Sequence, residues 1–179
     1  MQMSGYCVII LRRKQGGKKM TLQQILEKVK KGQLSVEHAE DLLKKEGYEN
    51  TSYQSTLHPS SSPKLNLGGH NTTTVRDCGI LLEKIFRGEC VSEEASAEML
   101  ELLMNQKNTA KIPSGISADI PIANKTGETD SDQHDMAIVY GPKTTYILCV
   151  MSEDFKSGSE AIDNIRSISG VVYNYLNLS

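Results

Sequence analysis

The sequence predicts an α/β fold of the α+β type, an antiparallel sheet of three or four strands covered by helices. Three observations carry this reading. Apolar residues recur at helical spacing ahead of an Ile112-Pro-Ser-Gly115 break, and after it the pattern changes to strand-like runs. The last of those runs, Thr145-Tyr-Ile-Leu-Cys-Val-Met151, is apolar on both faces, as a strand in the middle of a doubly covered sheet must be. The chain has 179 residues, 38% hydrophobic and 23% charged. That is enough for one full domain, or for a small module joined to part of a larger one, with a packed core.

Each element has its own signal. Tyr6-Cys-Val-Ile-Ile-Leu11 is rich in β-branched residues and closed by Arg12 to Gly17, which predicts a strand and a polar turn. It is expected to pair with the Thr145 to Met151 strand, because a central strand needs partners on both edges. Thr21 and Gln24 form a capping box ahead of Leu22, Ile25, Leu26 and Val29, with Gly32 as the stop. Ser35 caps a second helix with Val36, Ala39, Leu42 and Leu43 on one face, ended by Gly47. From Tyr48 to Thr72 periodicity vanishes, which marks a functional or disordered loop. Thr74 with Asp77 opens a helix carrying Val75, Cys78, Leu81, Leu82, Ile85 and Phe86, with Gly88 past its end. Ser92 caps another, with Glu93 and Glu94 in its positive first turn and Ala95, Met99, Leu102 and Leu103 facing inward. Strands follow at Ile120 to Thr126, Met136 to Tyr140 and Thr145 to Met151, the last two joined by Gly141-Pro142-Lys143. Ser157 and Glu160 cap a terminal helix whose Ile162, Ile165, Ile168, Val172 and Tyr175 should pack on the sheet. Three segments result: a basic N-terminal stretch over 1–19, a helical hairpin over 20–46, and a larger domain over 47–179.

Composition excludes several classes. The early apolar run is far shorter than the ~20 residues of a membrane span, and its positive charges follow instead of preceding it, so neither a span nor an export signal is expected. A chain expressed as written is therefore expected to stay in the cytoplasm. Cys7, Cys78, Cys90 and Cys149 form no close pair, which argues against a zinc ribbon or redox motif and for buried thiols. His58, His70, His134 and Asp135 lack ligand spacing, so no metal and no cofactor is expected. Arg12, Arg13, Lys14, Lys18, Lys19, Lys28, Lys30 and Lys31 face Glu27 alone within residues 1–31, although the whole chain carries −2. No aromatic side chain is interleaved with them, so the stretch reads as a solvated tail and no nucleic acid is expected.

The residues that carry chemistry are Lys125-Thr126-Gly127, at the end of a predicted strand. A strand-borne lysine and hydroxyl beside a glycine offer a carboxylate-binding cation, a hydrogen-bond donor and an open backbone edge along which a substrate amide could lie. Asn71-Thr-Thr-Thr-Val-Arg-Asp77, Leu81-Leu-Glu-Lys-Ile-Phe-Arg-Gly88, Val91-Ser-Glu-Glu-Ala-Ser96, Glu98-Met-Leu-Glu-Leu-Leu103, Ile112-Pro-Ser-Gly115 and Ala123-Asn-Lys-Thr-Gly-Glu128 recur in an order and spacing that resemble the class A β-lactamase-like serine hydrolases. Gly47 to Asn50 looks like the approach to that family's omega loop. The resemblance covers about Gly47 to Leu178, the C-terminal portion of the family domain. It implies a β-lactam or a peptidoglycan-like small molecule as ligand, with Lys125, Thr126 and Gly127 as binding residues, and relatives that are secreted or periplasmic.

The departures from the family pattern concern catalysis. The family's Ser-x-x-Lys nucleophile box lies upstream of the omega loop at a helix start, whereas the one formal match here, Ser61-Ser-Pro-Lys64, falls inside the loop. Ser61 is therefore a weak candidate nucleophile, and the catalytic residue is unknown. No Ser-Asp-Asn box is present: Ser131-Asp132-Gln133 follows Lys125 in the wrong chain order, and Tyr48-Glu49-Asn50 has no serine box before it. His58-Pro59 stands where the family carries a glutamate before proline. Cys78 and Cys90 are assigned to packing and Asp135 to a turn contact. Loss of such a nucleophile typically costs ~10⁴-fold or more in rate, so the expected activity is slight or nil, as in a fold cut short ahead of its attacking group. The hairpin over 20–46 is either the family's own helices before the omega loop or an unrelated preface. The alternative function is a non-catalytic binding protein that retains the Lys-Thr-Gly strand edge.

Overall fold

Among the described residues, four antiparallel strands, β1 (Cys7–Ile9), β2 (Ile122–Glu128), β3 (Asp132–Tyr140) and β4 (Thr145–Glu153), form one sheet in the order β1-β4-β3-β2. The computed structural model describes residues 7–9, 36–52, 54 and 70–178. The helix predicted over Thr21 to Gly32, the Ser35 cap, His58 and Ser61 lie outside the described residues. The pairing expected of the early strand is present, with Cys7 opposite Met151, Val8 opposite Val150 and Ile9 opposite Cys149.

β4 is central, and its alternation divides the core. Ile147 and Cys149 join Ala123 and Ile138 beneath α2 (Val75–Phe86), which supplies Val75, Cys78, Leu82 and Ile85, and α3 (Glu93–Met104), whose half-buried Met99, Leu100 and Leu103 pack against them. Tyr146, Leu148 and Val150 point the other way, toward Ile165 and Tyr173 of α4 (Gly158–Asn177), with Ala137, Val139, Ile112 and Ile116 beside them. Each such side chain withdrawn from water is worth about 1.5–3 kcal/mol, so both faces must be covered. Burial along β4 is therefore unbroken from Tyr146 to Val150.

The helix ends follow the capping chemistry of the sequence. The Thr74 hydroxyl accepts the Asp77 N–H at 3.2 Å, Ser92 that of Ala95 at 3.1 Å and Ser157 that of Glu160 at 3.4 Å. α1 (Val36–Lys45) and α2 are followed by Gly47 and Gly88 at φ +94° and +73°, values that favour glycine.

Three expectations are corrected. β3 begins at Asp132, four residues ahead of Met136, because Gln133, His134 and Asp135 pair with both neighbouring strands although their side chains are polar. In α3 Met99 and Leu103 pack against the core as expected, but the fully buried residue is Ser96, whose hydroxyl bonds to Cys90 and to the Ser92 carbonyl, and Leu102 is turned outward at 75% exposure. In α4 the buried line is Ala161, Ile165, Ser169, Tyr173 and Asn177, a strict fourth-residue repeat that turns Tyr175 outward at 73% exposure.

A 3₁₀ turn, Pro113–Gly115, packs against α4. A Cβ on Gly115 would lie 2.2 Å from the Arg166 carbonyl oxygen, so only glycine lets the turn and the helix backbone meet. No helix among the described residues is long and apolar enough to cross a membrane.

Candidate functional site

β2 is the outer strand beyond β3, and it carries Lys125, Thr126 and Gly127. They lie opposite Met136, Asp135 and His134 respectively. Strand alternation places Lys125 on the side of Ala123, the α2 and α3 side, and Thr126 on the side of Asn124. Lys125 is exposed, while Thr126 and Gly127 are half-buried. The Lys125 ammonium donates to the Thr126 carbonyl. A Cβ on Gly127 would meet the His134 ring carbon Cδ2 at 3.6 Å, an ordinary contact. No neighbour therefore demands glycine there; its effect is to leave the strand edge bare.

Beneath this edge is a set of buried polar groups that the sequence did not announce. The Asp135 carboxylate, inside β3 and fully buried, accepts the Ile112 N–H at 2.8 Å and the Asn124 side-chain amide at 3.1 Å. It thus makes the expected contact with the turn segment, but from the interior of a strand. Burial pushes its pKa up from 3.8 to about 6, against the opposing pull of the Asn124 and Ile112 hydrogen bonds and the Lys111 charge. The Lys111 ammonium, 1% exposed, donates to the carbonyls of Gly127 and His134, both at 3.1 Å, and pairs with Glu128 at 3.5 Å. A buried charge is tolerated only when partners surround it in this way. Lys111 precedes an isoleucine and a proline with no motif of its own, so only the fold identifies it.

The other candidates fall elsewhere. His134 accepts the Ser152 N–H at Nδ1 at 3.4 Å, and no group of three His, Cys, Asp or Glu residues able to hold a metal occurs among the described residues. Burial pushes the Cys149 thiol up to about 12 and raises those of Cys78 and Cys90, which suits packing and not attack. Tyr48 is buried, with the Lys84 ammonium 4.8 Å from its ring centre, and burial raises its phenol. Ser131 lies in the β2–β3 turn and Asp132 opens β3; the Thr129 hydroxyl accepts both of their N–H groups and donates to the Asp132 carboxylate at 2.7 Å. Just past Gly47 to Asn50, the expected entry to the omega loop, Ser52 and Thr72 exchange backbone hydrogen bonds at 3.0 and 3.2 Å. The Asp77 carboxylate takes the Asn50 N–H and the Thr51 hydroxyl there.

The sequence profile of the beta-lactamase enzyme family matches residues 10–176. This chain belongs to the beta-lactamase enzyme family. Its match begins well ahead of Gly47, where the motif resemblance starts. Among solved structures, a mutant of PBP-A held as an acyl-enzyme complex with penicillin G is 25% identical, with a TM-score of 0.63 over 78% of this chain and 51% of that one. A beta-lactamase from Sphaerobacter thermophilus is 18% identical, with a TM-score of 0.65 over 81% of this chain and 55% of that one. TLA-1 extended-spectrum beta-lactamase is 19% identical, with a TM-score of 0.65 over 79% and 54%. The family member described here thus spans about half the length of these structures. A comparison with curated proteins finds no match. The four-stranded antiparallel sheet with its helices is the class A beta-lactamase-like fold in part.

Proposed function

We propose that the chain binds a β-lactam, or a chemically related peptidoglycan-like compound, along the Lys125-Thr126-Gly127 edge of β2. The observation that carries this is the exposed Lys125 ammonium on an outer strand, two residues from a glycine that leaves the backbone edge bare. A ligand carboxylate would pair with the ammonium through charge-assisted hydrogen bonds, and a ligand amide would lie against the strand as an added partner. Membership in the family supports a β-lactam as the ligand class.

In this reading the described residues bind and orient, and they do not attack. Orientation without a nucleophile forfeits most of the rate of acyl transfer, by ~10⁴-fold or more. The Ser61 and Lys64 pair, outside the described residues, is the one formal nucleophile box of the chain.

Incubation with labelled penicillin, followed by native and denaturing mass spectrometry, tests the proposal. Retention of the drug without a covalent adduct, lost in Lys125→Ala, is expected. An adduct on Ser61 would overturn the binding-only reading and make Ser61 the nucleophile. Neither adduct nor retention would overturn the proposal as a whole.

A further inference from the structure

We propose that residues 108–112 form a clasp that sets the position of the Lys125-Thr126-Gly127 edge, with Lys111 as its positioning residue. This rests on the ligand-binding reading above, which concerns the edge itself and not what holds it.

Among the described residues β2 has a strand partner on one side only, so its geometry depends on what grips it elsewhere. The 108–112 segment grips it at two points that flank Lys125 and Thr126. On one side, the Asn124 amide donates to the Asn108 carbonyl at 3.2 Å. On the other, Lys111 Nζ holds the Gly127 carbonyl and, across the ladder, that of His134. The segment is itself anchored from three elements. β3 contributes Asp135, which takes the Ile112 N–H. α4 contributes Arg166, which donates to the Ala110 carbonyl at 2.6 Å, and Ser169, which donates to the Ile112 carbonyl at 2.8 Å. β2 contributes Asn124, whose amide reaches Asp135 as well as Asn108.

The donor count of Lys111 fixes the kind of role it can have. An ammonium has three N–H groups; here the Gly127 and His134 carbonyls take two of them, and the Glu128 carboxylate pairs with the charge at 3.5 Å. With 1% exposure and its charge already paired, Lys111 does not meet a ligand; it acts through the strand. Its main purchase is on Gly127, the residue with most backbone freedom to lose on ordering. Glycine leaves the edge bare, and the buried ammonium supplies the restraint that a side chain would otherwise give.

The test is benzylpenicillin titration of the isotope-labelled full chain by NMR, for the wild type, Lys125→Ala, Lys111→Met and Lys111→Arg, with amide hydrogen exchange on the same ligand-free samples. The clasp predicts that Lys111→Met weakens binding about tenfold, equivalent to about 1.4 kcal/mol. It also predicts that Lys111→Arg, which keeps charge and donors, restores most of the affinity. Exchange at residues 125–128 should rise about tenfold in Lys111→Met, while the amides of α2 stay as in the wild type. Wild-type affinity and exchange in Lys111→Met would overturn the clasp and leave the ligand reading intact. Equal loss in both Lys111 variants with unchanged exchange would make Lys111 a ligand contact and also overturn it. If the wild type binds nothing, the ligand reading fails alone, and the exchange comparison still decides the clasp. Should Lys111→Met not fold, Lys111→Gln takes its place under the same criteria.

Discussion

The Asp135 carboxylate accepts the Ile112 backbone N–H at 2.8 Å across 23 residues of sequence, from the interior of β3 to the head of the 3₁₀ turn. A full hydrogen-bond complement does not offset the loss of water around it, so its pKa lies near 6 instead of 3.8. An acid with a raised folded-state pKa holds its proton more tightly when folded. Its contribution to stability is fully present below the unfolded pKa of about 4 and is lost as pH rises through about 6. Urea melts between pH 4 and 7 should show this component declining with rising pH, at up to about 1.4 kcal/mol per pH unit. The Asp135→Asn variant should lack it, so that the wild-type curve minus the variant curve slopes down over that window. A flat difference would place Asp135 at an ordinary pKa.

Two glycines, Gly115 and Gly127, should respond oppositely to alanine. In Gly115→Ala the new carbon would lie 2.2 Å from the Arg166 carbonyl oxygen and 2.9 Å from its carbon, and backbone cannot swing aside as a side chain can. A loss of about 1–3 kcal/mol or more is expected in denaturant melts. In Gly127→Ala the neighbours are ordinary contacts at 3.6 and 3.7 Å on His134. Removing strand glycine entropy should leave stability unchanged or raised by up to about 1 kcal/mol.

The thiols of Cys78, Cys90 and Cys149 are free, buried and shifted toward the protonated form. For Cys149, near 12, the thiolate is only about one part in 10⁴ at pH 8. Peptide mapping after treatment with a soluble disulfide reagent should find Cys149 unmodified in the folded protein and modified in denaturant. Rapid native labelling of Cys149 would contradict its place in the core.

Local chemistry made much of this fold legible from sequence. Thr74, Ser92 and Ser157 cap because a short hydroxyl side chain beside the first turn has an orphan N–H within reach whatever the tertiary context. β4 was readable because both of its faces are apolar. The Lys125-Thr126-Gly127 strand was readable from its residue types and setting. What escaped was burial determined at a distance. Lys111 and Asn124 look like surface residues until partners 11 to 23 positions away are brought to them. Leu102 and Tyr175 look like core until Ser96 and the line through Tyr173 set the phase of their helices. Ser61 and His58 fall outside the described residues, so the expectation for the attacking group stands on sequence alone.

β1 meets β4 near the far end of the chain: Cys7 and Met151 are separated by about 140 residues yet stand side by side. Closing so long a loop comes at an entropic cost that three paired residues repay only after the β2–β3–β4 meander exists to receive them. The first strand is thus expected to join late in assembly and to leave early on partial opening. The β1 side of the sheet can then loosen while the Lys125 edge on the opposite side of β4 keeps its shape.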